Sequence, residues 1–500
     1  MNRRELIRNA AAATALAAVW PLWSAAGPAA FLVPHPPQGA AGSAALHPAA
    51  LHIDLSDPWA SLPHLLARIQ APTFPNRDFV ITRYGARAGR DATGAIRKAV
   101  EACSRAGGGR VVIPAGDFLT GAIHLKSRVN LHVSGGATLR FLQDPARYPL
   151  VYTRWEGVEL MNYSPLVYAF ECTDVAVTGE GTLDGQADET HWWPWKGVYS
   201  GQRQDVTKNF DVPAPQVADR TQLIRQGEEN VPVAQRVYGP GHYLRPPFIE
   251  TYRCRNVLIQ GVTLRNAPFW VTHPTLSTNV TVRGIKVISH GPNNDGCDPE
   301  SCRDVLIEDC LFDTGDDCIA LKSGRNNDGR RVNVPVENVL IRNCEMKEGH
   351  GGITMGSEIT GGARNIFAEK CRLDSPELER ALRMKTNTLR GGIIENVFVR
   401  DIEIGTVKLA PIEIDLRYEP RDSGPYIPQV RNILVERMSS KSSRHGVYIK
   451  GLENAPVRNV VVRDSQFRGV THGHVIEGAV QLTLDGVTVE AAPPRKEGTS

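Results

Sequence analysis

A short phrase recurs along this chain, an asparagine or aspartate followed by three mostly apolar residues. It reads Asn256-Val257-Leu258-Ile259, Asn279-Val280-Thr281-Val282, Asp304-Val305-Leu306-Ile307 and Asn338-Val339-Leu340-Ile341. It continues as Asn365-Ile366-Phe367-Ala368, Asn396-Val397-Phe398-Val399, Asn432-Ile433-Leu434-Val435 and Asn459-Val460-Val461-Val462, with weaker copies near Asn130, Asp174 and Leu482. From Asn256 onward, successive starts lie 22 to 36 residues apart. That is too short for a recurring strand, helix and crossover, but long enough for three short strands and their turns. Such coils bury their apolar side chains only by stacking on one another, so the spacing predicts an all-β chain, a right-handed parallel β-helix. The leading Asn or Asp fits a turn that needs positive φ and can pass hydrogen bonds along the stack.

Six residues into the phrase, Cys310, Cys344 and Cys371 align with Val262, Ile285, Ile402 and Met438. Cysteines sharing a column with aliphatic residues read as an interior ladder, and no Cys/His spacing suggests zinc. A helix over Ala95 to Ala106, capped by Thr93 and ended by Gly107-Gly108-Gly109, is expected to cover the N-terminal end of the stack.

The chain divides accordingly. Residues 1–30 carry Arg3-Arg4 before an Ala-rich apolar run too short to span a bilayer, the pattern of a twin-arginine export signal. Residues 31–75 are a Pro/Ala-rich linker and lead-in, 76–490 the β-helix and 491–500 a tail. A long insertion over 186–247 interrupts the repeat and is expected on the binding face. Its Trp192, Trp193 and Trp195 suit either stacking on sugar rings or packing of the loop. A net charge of only +3 argues against a general nucleic-acid surface.

Three consecutive coils carry the chemistry, through Asn293-Asn294-Asp295, Gly315-Asp316-Asp317 and Gly349-His350-Gly351. In register, Asp295 stands beside Asp317, while Asn294, Asp316 and His350 share the adjacent column. Coils about 4.8 Å apart therefore crowd three carboxylates onto one patch. Crowding raises at least one carboxyl pKa, as a general acid requires. The next coil adds Arg383-Met384-Lys385, two cations suited to an acidic ligand or to neutralising the aspartates. Calcium on Asp295, Asp298, Asp316 and Asp317 competes chemically, but His350, Arg383 and Lys385 suit a hard dication poorly.

These four segments, in this order, resemble glycoside hydrolase family 28, the polygalacturonases, over about residues 79 to 490. The resemblance implies that Asp316 is the general acid, that Asp295 and Asp317 activate the attacking water, and that His350 tunes Asp316. It further implies single displacement with inversion, for which carboxyl groups stand roughly 6.5–9.5 Å apart. Arg383 and Lys385 would bind galacturonate carboxylates, with Asn293 and Tyr418 as further sugar contacts. No metal and no cofactor are implied. The substrate would be polygalacturonate or pectic oligosaccharides, and residues Arg245-Pro246-Pro247-Phe248 and 289–293 look most like the bacterial exo-acting branch. The expected protein is a monomer, periplasmic or secreted, with no membrane or nucleic-acid partner after signal removal. Rhamnogalacturonan or substituted galacturonan is the alternative substrate. A calcium-dependent pectate lyase and a non-catalytic carbohydrate-binding β-helix are the readings from other classes.

Overall fold

The structure is a computed structural model and describes residues 51–197, 215–419 and 423–493. The export signal and the linker up to residue 50 lie outside these residues, as does part of the insertion.

The repeating phrase forms strands that pair in parallel, each with the corresponding strand of the coils before and after it. Val257 aligns with Val280, Val280 with Val305, Val305 with Val339 and Val339 with Ile366. Their side chains stack inward and are almost fully buried. Burying such a side chain stabilises the fold by about 1.5–3 kcal/mol, and every coil repeats the gain. Parallel strands joined coil to coil over the whole length make a parallel β-helix, right-handed as parallel crossovers are.

The leading residue of each phrase takes positive φ, from Asp174 (56°) through Asn279 (57°) to Asn459 (53°). Where that residue is asparagine, its amide bonds the equivalent residue one coil back, as in Asn365 to Asn338 at 3.0 Å and Asn432 to Asn396 at 3.0 Å. Near Asn130 the pattern shifts, and Arg128 takes the positive φ instead. The cysteines at 310, 344 and 371 are buried free thiols in the interior column, as expected.

The N-terminal helix runs over Thr93–Arg105 and packs Ile96, Ala99, Val100 and Cys103 onto the first coils. Its cap differs from the expected one. Asp91 accepts from the Thr93 backbone N–H (2.9 Å), while the Thr93 hydroxyl accepts from Gly121 (2.7 Å). The lead-in is also more than a linker. Helix Leu62–Arg68 lays Leu62 and Leu65 against Leu306, Leu340, Phe367 and Phe398 on the outer wall, and Arg68 pairs with Asp304 at 3.0 Å.

Two departures from the repeat build the cleft. An antiparallel hairpin, Leu150–Trp155 with Val158–Tyr163, leaves the coil. Helix Pro215–Glu228 from the insertion lies over it, and Trp155, Leu160, Leu223, Tyr238 and Phe269 form a second small core.

Candidate active site

The cleft lies on a sheet face carrying strands Ile319–Leu321, Ile353–Met355, Arg380–Lys385 and Ala410–Asp415. A bridge between Cys297 and Ile319 and pairing of Ile319 with Ile353 fix the register. Asp295 thereby falls beside Asp317, and Asp316 beside His350. The local backbone needs glycine to do this. A Cβ on Gly315 would lie 2.2 Å from the Gly291 carbonyl oxygen, and one on Gly349 (φ 151°) 2.5 Å from that of Asp316.

Asp295, Asp316 and Asp317 bring carboxylate oxygens within 4.8 Å of one another. This is shorter than the 6.5–9.5 Å expected for single displacement. The reason is the scaffold: Asp316 and Asp317 are sequence neighbours, and Asp295 stands one coil away, at the strand spacing of about 4.8 Å.

Each carboxylate has its own cation. His350 Nδ1 lies 2.9 Å from Asp316 Oδ1, Lys385 Nζ 2.7 Å from Asp317 Oδ2, and Lys322 Nζ 3.7 Å from Asp295 Oδ2. Arg383 reaches Asp317 at 3.5 Å and Glu413 at 3.4 Å. A calcium ion on this trio would have to displace those cations. Asp298, the fourth oxygen donor considered for calcium, is fully buried and faces Lys322 at 3.7 Å.

These pairings place the protons. Burial, then the neighbouring Asp316 carboxylate, pushes Asp295 well above the usual carboxylate range. Burial acts the same way on Asp316, but His350, Lys385 and Lys322 together outweigh it and hold that group low. At Asp317, burial is likewise outweighed, by Lys385 and then Arg383. The Asp316 carboxylate raises the half-exposed His350 imidazole to about 9, against its partial burial. The raised carboxyl that crowding demanded is therefore Asp295, and Asp316 keeps its proton partner next door on His350.

Other expected residues take specific places. Arg383 and Lys385, read as suited to an acidic ligand or to neutralising the aspartates, both touch Asp317. The Tyr418 ring lies 5.5 Å from the Arg383 guanidinium and 5.4 Å from Lys385 Nζ. Asn293 lines the cleft with its Oδ1 accepting from Arg245 Nη2 at 2.8 Å, so its carbonyl side is engaged by protein. Asn294 shares the column of Asp316 and His350, yet it turns inward and bonds Ser289 at 2.6 Å.

The cleft encloses about 720 Å³, room for more than one sugar ring. The family comparison fits this picture. A model described as "Glycosyl hydrolases family 28" matches residues 239–482. A crystal structure of a hyperthermoactive exopolygalacturonase from Thermotoga maritima is 44% identical, covering 86% of this chain and 95% of that one, with a TM-score of 0.81. The chain belongs to glycosyl hydrolases family 28. Among curated relatives, a probable polygalacturonase of Vitis vinifera is 28% identical over 71% of this chain and 66% of that protein. An exo-poly-alpha-D-galacturonosidase of Dickeya chrysanthemi is 26% identical over 82% of this chain and 74% of that one.

In this family 28 glycoside hydrolase, several cleft residues escaped the sequence reading. Lys322 stands under the aspartates, 3.1 Å from Glu358 and 4.5 Å from the centre of the Trp270 ring. A signal for it existed: period-two alternation after Ile319 puts Ala320 and Lys322 on the cleft face. Glu156 comes from the hairpin turn and Arg220 from the insertion helix, joined at 2.7 Å. Arg325 links Glu156 (3.0 Å) to Glu358 (2.5 Å), completing an ion-pair chain down to Lys322. The insertion tryptophans settle as packing. Trp192 and Trp193 are buried, and Trp193 donates to the Ala267 carbonyl at 2.9 Å. Among the described residues, the tryptophan that lines this cleft is Trp270.

Proposed function

We propose that this glycoside hydrolase cleaves α-1,4-galacturonosyl linkages of polygalacturonate and pectic oligosaccharides, working from chain ends. The observation that carries this is three carboxylates converging in a cleft where Arg383, Lys385 and Tyr418 continue the same face. His350 stores a proton 2.9 Å from Asp316, and Asp316 passes it to the glycosidic oxygen. An anionic substrate beside Arg383 and Lys385 shares their positive charge, which raises the proton affinity of the acids nearby and loads Asp316 on binding. Protonated Asp295 donates to a water whose proton the ionised Asp317 accepts, and that water attacks the anomeric carbon. Asn293 is rather a wall residue than a strong sugar donor, since Arg245 holds it. No cofactor enters the scheme.

End-directed attack follows from the wall. Arg245 bonds the Pro268 and Pro292 carbonyls, and Trp193 anchors to Ala267, so the insertion stands on the N-terminal side of the aspartates. Arg383, Lys385 and Tyr418 lie on the other side, where the reducing portion of the chain would leave. A time course on polygalacturonate and trigalacturonate should give monomer or dimer alone from the earliest points. The same reaction followed by proton NMR should first show the β-anomer, the product of inversion at an α-linkage. A ladder of intermediate sizes would make the wall open, and an α-anomer would make the close carboxylates a double-displacement pair.

The protein works outside the cytoplasm in this reading, supported by Arg3-Arg4 ahead of the apolar run. Changing both to lysine should leave the enzyme in the cytoplasmic fraction. Unchanged export would remove the twin-arginine route.

A further inference from the structure

Almost every cation that lines the cleft already faces a carboxylate of the protein, as the pairings of Arg220, Lys322, Arg325, Arg383 and Lys385 show. Arg380 does too, at Glu379 and Glu413. Lys196 is different. It lines the cleft from the insertion wall, half-buried, and among the described residues no carboxylate comes within ion-pair distance of it. Lys408 also lacks such a partner among the described residues, but it is exposed, where water satisfies an ammonium.

The position of Lys196 is built. It closes the short helical turn Trp193–Trp195, with its backbone N–H bonded to the Trp193 carbonyl at 3.0 Å. Trp193 is pinned to Ala267, and Trp195 packs on Trp192 with ring centres 4.8 Å apart. Burial, assisted by Arg245 and Arg220 and opposed by Glu156 and Asp316, pulls the ammonium below the usual lysine range. A desolvated ammonium among arginines costs free energy that an incoming anion restores. A lysine placed only to hold the wall would sit in solvent or face an acid.

We propose that Lys196 receives the C6 carboxylate of the galacturonate at the closed end of the cleft, making the wall a reader of charge as well as of chain end. This rests on the galacturonan reading above. It makes a free acid on the terminal residue a requirement, so an ester-cleaving reaction must precede this enzyme on esterified pectin.

The test measures binding by calorimetry in the Asp316→Asn background, where turnover does not interfere. The ligands are trigalacturonate and the same trimer methyl-esterified only on its non-reducing-end residue. With Lys196 present, the free acid should bind at least about tenfold tighter than the ester, the size expected of one charge-assisted hydrogen bond. Lys196→Met should lose that factor for the acid and change the ester less than about twofold. Lys196→Arg should keep most of the preference, and unchanged melting temperatures exclude a collapsed wall. Equal losses for both ligands, or none, would overturn the proposal. Turnover of polygalacturonate by the wild type is read in parallel. Turnover without Lys196-dependent binding overturns the anchor alone, and Lys196-dependent binding without turnover overturns the hydrolase reading alone.

Discussion

Asp316→Asn should lower kcat on trigalacturonate by about 10³-fold or more while the protein stays folded, within the range that one general acid contributes. The substitution keeps size and removes one of three crowded carboxylates, so the folded state loses no packing. It also removes the charge that His350 leans on. The His350 imidazole, raised to about 9 in the wild type, should then titrate close to its ordinary value near 6.5. Selective labelling of histidine and an NMR titration would read this directly. The sign follows from linkage: a raised imidazole pKa contributes stability that is fully present below the ordinary value and is lost as pH rises through about 9. Loss of activity without movement of the His350 titration would separate the two residues. Full activity in the variant would remove Asp316 as the acid.

Lys322→Met should be the most destabilising single change in the cleft. Lys322 is 3% exposed and serves Asp295, Asp298 and Glu358 at once. Removing the cation leaves that buried negative charge short of a partner, and breaking a buried pair in this way costs about 3–5 kcal/mol. A fall in Tm of about 3–5 °C is expected for a chain of this size. Asp295, already pushed up by burial and Asp316, should rise further without the ammonium. The double variant Lys322→Met/Glu358→Gln should lose less than the sum of the single losses, because it removes both ends of the 3.1 Å pair. An unchanged Tm for Lys322→Met would show that water or a neighbour compensates.

The parts of this molecule that were legible in the sequence are those whose partners are one coil away. The phrase led by Asn or Asp states the turn, the inward column and the register together. Asp295, Asp316, Asp317 and His350 could be aligned because the same strand spacing that stacks Val280 on Val305 stacks their coils. The proton positions were harder to read. Crowding alone says that some carboxyl rises, but which one depends on where Lys322, Lys385 and His350 point. The wall was least legible. Glu156, Lys196 and Arg220 come from segments outside the repeat, and packing such as Trp155 on Phe269 (5.1 Å between ring centres) fixes their places. Composition announced tryptophans near the cleft without saying that Trp192 and Trp193 are buried and Trp270 lines it.

The asparagine ladder has a consequence for how such an enzyme can diversify. It joins coil to coil regardless of how many residues the connecting turns contain, since asparagines 23 and 36 residues apart bond in the same way. Catalytic spacing is thus a lattice constant of the backbone, and the loops are free variables. Lineages can lengthen or shorten a connection, and with it the shape of the door, without retuning the lock.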